Sequence, residues 1–334
     1  MSMAGHQASD PRRWERRTAL LACLLAGGLA GAPVAHAGDV KRSSVRPEWP
    51  ISRLPDPDVD RPSTEEVDRL RTKAEGGSRE AQFELGFMYF RGEGIDQDVH
   101  AAADWWRKSA EQGYPLAQVN LGLMYENGVG VAQDVSQAVA WFTRAAEGGD
   151  ETGQMRLGEA YQDGIGVAQD LVRAVSWWQK AATQGNAAAQ NYLGEAYKTG
   201  KGVTRDDRQA AAWYHKAAGQ GHATAQTNLG FLYRYGEGVA QDLSAAVHWW
   251  RQAAEQGNTT AQYNLAVSYY NGEGVTADLV EAYVWIEVAI AAAPTESQEK
   301  YARLLAALTR RMPPEALDEA RKRAKEQITA RERP

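Results

Sequence analysis

Apolar positions along residues 81–296 recur with a helical period, and the whole pattern then repeats. In the stretch from Ala189, the residues Ala189, Leu193 and Tyr197 stand at i, i+4 and i+8, one stripe on a first helix. After a glycine-rich break, Ala210, Trp213, Tyr214, Ala217 and Ala218 stand at i, i+3, i+4, i+7 and i+8, a wider stripe on a second helix. Moving the frame by 36 residues reproduces both stripes without a gap. Tyrosines fall at Tyr89, Tyr125, Tyr161, Tyr197, Tyr233 and Tyr269, and tryptophans at Trp105, Trp141, Trp177, Trp213, Trp249 and Trp285. Six units result: 81–116, 117–152, 153–188, 189–224, 225–260 and 261–296. Each helix is about a dozen residues, marginal alone in water. One pair cannot enclose its own apolar face, and stacking on the next pair buries it. The pattern predicts an all-α chain, an α/α solenoid that forms one elongated domain.

The punctuation fits this reading. Gly200 stands just past the first helix, where a left-handed residue ends a helix. Asp206 with Gln209 reads as a capping box on the second helix, as do Asp134 with Gln137 and Asp278 with Glu281. Ser78, Asp150, Asn186, His222 and Asn258 hold the N-cap register of first helices, and Pro115 an N1 position. Gly194 sits mid-helix, where glycine costs about 1 kcal/mol against alanine. That cost predicts a close approach by a neighbouring helix backbone. Gln82, Gln118, Gln154, Gln190, Gln226 and Gln262 recur in register and read as structural hydrogen bonds between units.

The ends differ. Ser63-x2-Glu66 opens a helix that stops at Gly76-Gly77, so 63–77 reads as an N-terminal capping helix with one charged face. Past Pro294, a helix from Thr295 to Arg311 presents Tyr301, Leu304, Leu305 and Leu308 on one side. Another follows from Glu315 to about Thr329, and 297–330 reads as a C-terminal cap.

Composition adds an address. Residues 1–37 read as a secretory signal, with Arg12, Arg13, Arg16 and Arg17 ahead of the apolar run Ala19 to Ala30 and an Ala35-His36-Ala37 cleavage site. The expected location is the periplasm, with secretion or a lipid anchor through Cys23 as alternatives. Cys23 is the only cysteine, so cleavage after Ala37 leaves a fold held by packing alone. Residues 38–62 carry five prolines and read as a disordered linker. The net charge is −6, and no basic stripe with interleaved aromatics points to nucleic acid. The stretch 300–334 is basic and reads as a solvated face, with peripheral membrane contact as the lesser reading.

The six matched copies of Ala-x3-Leu-Gly-x2-Tyr-x2-Gly-x-Gly-Val-x2-Asp-x3-Ala-x2-Trp resemble the SEL-one-like repeat (SLR) family, a relative of the tetratricopeptide repeats. Gly153 and Ala266 depart from it, replacing the leading alanine of copy three and the helix glycine of copy six. The resemblance implies a right-handed superhelix with a concave groove. It places groove positions beside the Leu-Gly pair and one past the tyrosine. On these positions a partner-binding groove is expected at Phe83, Phe87, Phe90, Glu126, Glu159, Gln162, Glu195, Lys198, Phe231, Arg234 and Tyr270. For Phe83 and Phe87, packing against the capping helix is an equal reading. Glu159 and Glu195 are also read as a candidate carboxylate pair, with solvated groove charges the commoner case.

No metal-ligand spacing, nucleophile elbow or phosphate-binding loop is read from the sequence. The expectation is a non-catalytic interaction scaffold of the bacterial envelope with a protein or peptide partner and no cofactor or metal. Two alternatives stand beside it. One is an immunity protein against an envelope-acting effector. The other is a weak β-lactam-binding or hydrolysing enzyme, as some cysteine-rich relatives are described, whose cysteines this chain lacks and whose Ser-x-x-Lys motif is not read in it.

Overall fold

A computed structural model describes residues 62–332. The signal expected in 1–37, and all but the last residue of the 38–62 linker, lie outside the described residues. Among those described are fifteen α-helices and no strand. The capping helix is α1 (Thr64–Glu75). First helices of the six copies are α2 (Arg79–Arg91), α4 (Pro115–Asn127), α6 (Glu151–Asp163), α8 (Ala187–Thr199), α10 (Ala223–Tyr235) and α12 (Thr259–Asn271). Second helices are α3 (Val99–Glu111), α5 (Val135–Glu147), α7 (Leu171–Thr183), α9 (Asp207–Gly219), α11 (Leu243–Glu255) and α13 (Leu279–Ala292). Two helices close the chain, α14 (Thr295–Arg311) and α15 (Pro314–Glu332).

The helices fall into two compact units that divide after Gly153. The N-terminal unit holds α1–α5, and the C-terminal unit holds α7–α15 with most of α6. Within each unit a first helix packs on the second helix of its own copy, which in turn packs on the next first helix. This is the α/α solenoid arrangement.

Each mid-helix glycine receives an aromatic ring. A Cβ on Gly194 would lie 2.5 Å from the Tyr214 ring, on Gly86 2.6 Å from Trp106, and on Gly122 2.5 Å from Phe142. Gly158 and Gly230 face Trp178 and Trp250 in the same way. The close approach is therefore made chiefly by a side chain of the partner helix, where the sequence reading expects a backbone. This explains copy six. There the ring is replaced by the smaller Ile286, and the facing position tolerates the methyl group of Ala266, both fully buried. Gly153 has its own cause, since a Cβ would fall 2.6 Å from that of Ala145.

The aspartate caps form by half. The Asp206 carboxylate accepts from the N–H groups of Arg208 and Gln209, at 2.9 and 3.0 Å. Its own N–H donates to the Tyr197 carbonyl at 2.9 Å, so Gln209 has no orphan donor to reach back to. Asp134 and Asp278 spend their N–H groups in the same way on Tyr125 and Tyr269. Those three capping boxes are thus corrected to single-sided caps. A full box forms at Ser63 and Glu66.

The recurring glutamines bridge three helices. The Nε2 of Gln190 donates to Ala182 O at 3.1 Å, and its Oε1 accepts from Gln220 at 2.8 Å. The same bond to the preceding second helix ties Gln82 to Ala74, which puts α1 in the place of a second helix. At the far end α14 takes the place of a seventh first helix. Tyr301 falls 36 residues after Leu265, is buried, and stacks on Tyr263 with ring centroids 4.8 Å apart.

First-helix caps sit where the sequence puts them. His222 accepts the Ala225 N–H on Nδ1 at 3.2 Å. That bond needs neutral imidazole, and burial holds the His222 pKa below its ordinary value. Unfolded His222 titrates at about 6.5. Above that pH both states are neutral and the contribution is full. As pH falls the unfolded state takes up the proton first, so stability is lost from about 6.5 down to the folded pKa. His222→Asn copies the caps at Asn186 and Asn258. It is expected to keep the melting temperature at pH 7.5 and to shrink its drop between pH 7.5 and 5. An unchanged drop would show that the acid sensitivity lies elsewhere.

Candidate functional site

In the N-terminal unit the aromatic positions serve the core. Phe83 is buried, 5% exposed, packed on the rings of Trp106 and Tyr114 with the Tyr114 centroid at 5.2 Å. This corrects the groove reading of Phe83: its ring is buried, and its aromatic contacts are with Trp106 of α3 and with Tyr114. Phe90 is half-buried against Trp106 at 5.4 Å. Phe87 is half-buried with the Arg91 guanidinium 5.1 Å over its ring, and Glu126 is half-buried on α4.

In the C-terminal unit the same register is more open. Glu159 accepts from the Tyr192 hydroxyl at 2.7 Å and from Arg156 at 3.2 Å. Glu195 accepts from the fully buried Tyr214 hydroxyl at 2.8 Å, and is itself exposed. Burial and the adjacent carboxylate push both tyrosine pKa values far up, so both hydroxyls stay donors. The two glutamates are thus each held by a different tyrosine. Gln162 is half-buried and donates to its neighbour Asp163 at 3.0 Å.

Lys198 and Arg234 are joined to the next copy. Lys198 pairs with Glu237, and Arg234 with Glu273 at 2.8 Å. Both acids are the middle residue of a Gly-x-Gly turn, 39 residues further on. The 39-residue offset of opposite charges is readable in the sequence, but only once the fold says what lies beside what. These pairs are partly exposed and contribute about 0–1 kcal/mol each.

Aromatic surface follows. Phe231 is half-buried, edge-on to Trp250 at 5.5 Å and stacked on Tyr235 at 6.5 Å. Tyr235, which the groove register omits, is 62% exposed. Tyr270 is half-buried under the Arg311 guanidinium at 4.7 Å, and Lys300 lies 4.0 Å over Tyr263. Lys300 and Arg311 come from α14, beyond the last repeat, where a repeat-based register has no position to assign.

Other chemistry is sparse. The Ser-x-x-Lys spacing of serine β-lactamases is in fact present, at Ser297 and Lys300, which corrects the sequence reading. The Lys300 ammonium sits on the Tyr263 ring, on an exposed helix. A cleft of about 500 Å³ lies on the second-helix side of copy six, lined by Arg251, Tyr269, Asp278, Glu281 and Trp285 among others. Among the described residues no group of His, Cys, Asp and Glu gathers as a metal site, and no helix is long and apolar enough to cross a membrane.

The Sel1 repeat family matches residues 79–114, 115–150, 152–186, 187–222, 223–258 and 259–293. Among solved structures, the chain is similar to a protective antigen of uropathogenic Escherichia coli strains with an SLR fold. The two are 38% identical with a TM-score of 0.68, over 79% of this chain and 57% of the antigen. This chain therefore spans a little over half of the antigen's length. It is also similar to a Sel1 repeat protein from Oxalobacter formigenes, 31% identical with a TM-score of 0.63, over 67% of this chain and 90% of that one. An immunity protein from Pseudomonas aeruginosa matches at 19% identity and a TM-score of 0.38, a distance at which it carries no functional inference. No curated protein matches. Six consecutive matched repeats, and this identity to solved SLR structures, mean that the chain belongs to the Sel1 repeat family.

Proposed function

We propose that this protein is an exported, non-catalytic scaffold that binds a partner protein on the first-helix face of its C-terminal unit. One observation carries the reading. Phe231, Tyr235 and Tyr270 keep ring surface open beside Arg234 and Arg311, beyond what repeat packing uses. Half-open aromatics beside arginines are the side chains enriched at protein interfaces. The leader-like residues 1–37 support export to the periplasm.

Photo-crosslinking residues placed at 231, 235 and 270, in cells, test this. The expected result is one shared adduct from all three positions. A control at Val172, 68% exposed on the second helix α7, should not give it. Adducts indistinguishable from those at Val172 would end the proposal.

A further inference from the structure

The open face of the C-terminal unit is electrically polar along the stacking direction. At one end is Glu195 on α8, exposed and held by the Tyr214 hydroxyl, with no cation paired to it among the described residues. Next come the two internally neutral pairs, Lys198 with Glu237 and Arg234 with Glu273. The centre is apolar, with Phe231 and Tyr235 on α10. At the far end Lys300 and Arg311 on α14 lie over Tyr263 and Tyr270, and neither has a carboxylate partner among the described residues. Glu195 and Phe231 hold the same register position one copy apart, and Arg234 and Tyr270 likewise. The face is therefore continuous across α8, α10, α12 and α14.

We infer that this face takes an extended segment of a partner protein that is basic at one end, apolar in the middle and acidic at the other. The inference rests on the scaffold reading above and specifies its ligand. Charge complementarity selects the occupant. The desolvation of Glu195 is offset by a lysine or arginine, and that of Lys300 and Arg311 by carboxylates. The aromatic centre accepts apolar side chains. Successive first helices are separated by at least one helix-packing distance, about 8–10 Å, so three steps from α8 to α14 span about 24 Å or more. An extended chain covers about 3.3 Å per residue, which makes the segment about eight residues or longer. The buried Tyr214 fixes the Glu195 carboxylate, and the Tyr263 and Tyr270 rings fix the two cations. The charges at both ends are thus oriented before binding, which lowers the ordering cost.

The experiment is selection from a displayed library of random twelve-residue peptides on the immobilised full-length protein, followed by affinity measurement on the enriched peptides. The expected consensus separates basic and acidic residues by an apolar stretch. Glu195→Lys and Arg311→Glu should each weaken binding about tenfold or more. Each loss should be recovered by a peptide whose matching end has the opposite charge. Both positions are exposed, and unchanged thermal unfolding of the variants separates lost binding from lost fold. Enriched peptides of a single charge sign, or peptides indifferent to both substitutions, would overturn the inference and leave the scaffold reading standing. Failure to enrich any peptide would also overturn it, with the crosslinking at 231, 235 and 270 then deciding the scaffold reading by itself.

Discussion

Gly238→Ala is expected to destabilise the C-terminal unit by about 3 kcal/mol or more, while Gly221→Ala costs about 1–2 kcal/mol. Both glycines have positive φ, +70° and +87°. A Cβ in that conformation crowds the following carbonyl oxygen, which costs about 1–2 kcal/mol at either site. Gly221 has nothing within 4 Å of the added atom, so the backbone term is its whole cost. At Gly238 the new atom would sit inside the carbonyl of Asp207, the first residue of α9. Backbone cannot rotate away as a side chain can, so α9 and the turn before α11 must separate. Gly202 against Leu171 and Gly274 against Leu243 repeat this contact, which makes it a hinge-free backbone seam between successive copies. Stability in such arrays is a sum of repeat and neighbour terms, and the loss falls on the neighbour term. Denaturant unfolding of the two variants checks it. Equal losses would mean that the seam is looser than its geometry.

Trp250→Ala should cost about 3–5 kcal/mol, the range for removing a fully buried indole. Trp250 is 1% exposed, fills the gap left by Gly230, meets Phe231 edge-on, and donates its indole N–H to Thr227 O at 3.1 Å. The more discriminating comparison is with phenylalanine. Trp250→Phe leaves the Thr227 carbonyl without that donor. Trp178 is as deeply buried, at 3% exposed, but its indole nitrogen has no acceptor, and its ring stacks on Tyr192 at 4.8 Å. Trp178→Phe removes no hydrogen bond and should cost about 1 kcal/mol less than Trp250→Phe. Thermal unfolding of both variants is the measurement. A larger loss at Trp178 would contradict the assigned bonds. A lesser feature belongs to other tryptophans of the array. Lys108, Lys180 and Lys216 cap the rings of Trp105, Trp177 and Trp213 at 3.7–3.9 Å, each three residues on along the same helix. Each contributes about 0.5–1 kcal/mol, since the lysines themselves are exposed.

The candidate site was partly legible in the sequence. Glu195, Phe231, Arg234 and Tyr270 lie on the open face because the 36-residue register carries their orientation with it. Phe83 failed by the same register. Its position is equivalent to that of the half-buried Tyr263, but Trp106 and Tyr114 close over it, and no periodic rule reports the size of a neighbour. The ion pairs of Lys198 and Arg234 were invisible for a related reason. Their partners lie 39 residues on, in turns that the sequence reads as connectors.

By itself the sequence determined the hairpins, their number and their chaining, because helix stripes, caps and left-handed glycines are local and recur in every copy. It also determined the ends of α14, Thr295 and Arg311, since Pro294 and the Pro313-Pro314 pair bound that helix. Only the tertiary structure decided what each glycine makes room for, why copy six can carry Ala266, and which charges remain unpaired on the open face. Those depend on the volume and polarity of residues tens of positions away, and packing at interior density makes a single methyl group decisive.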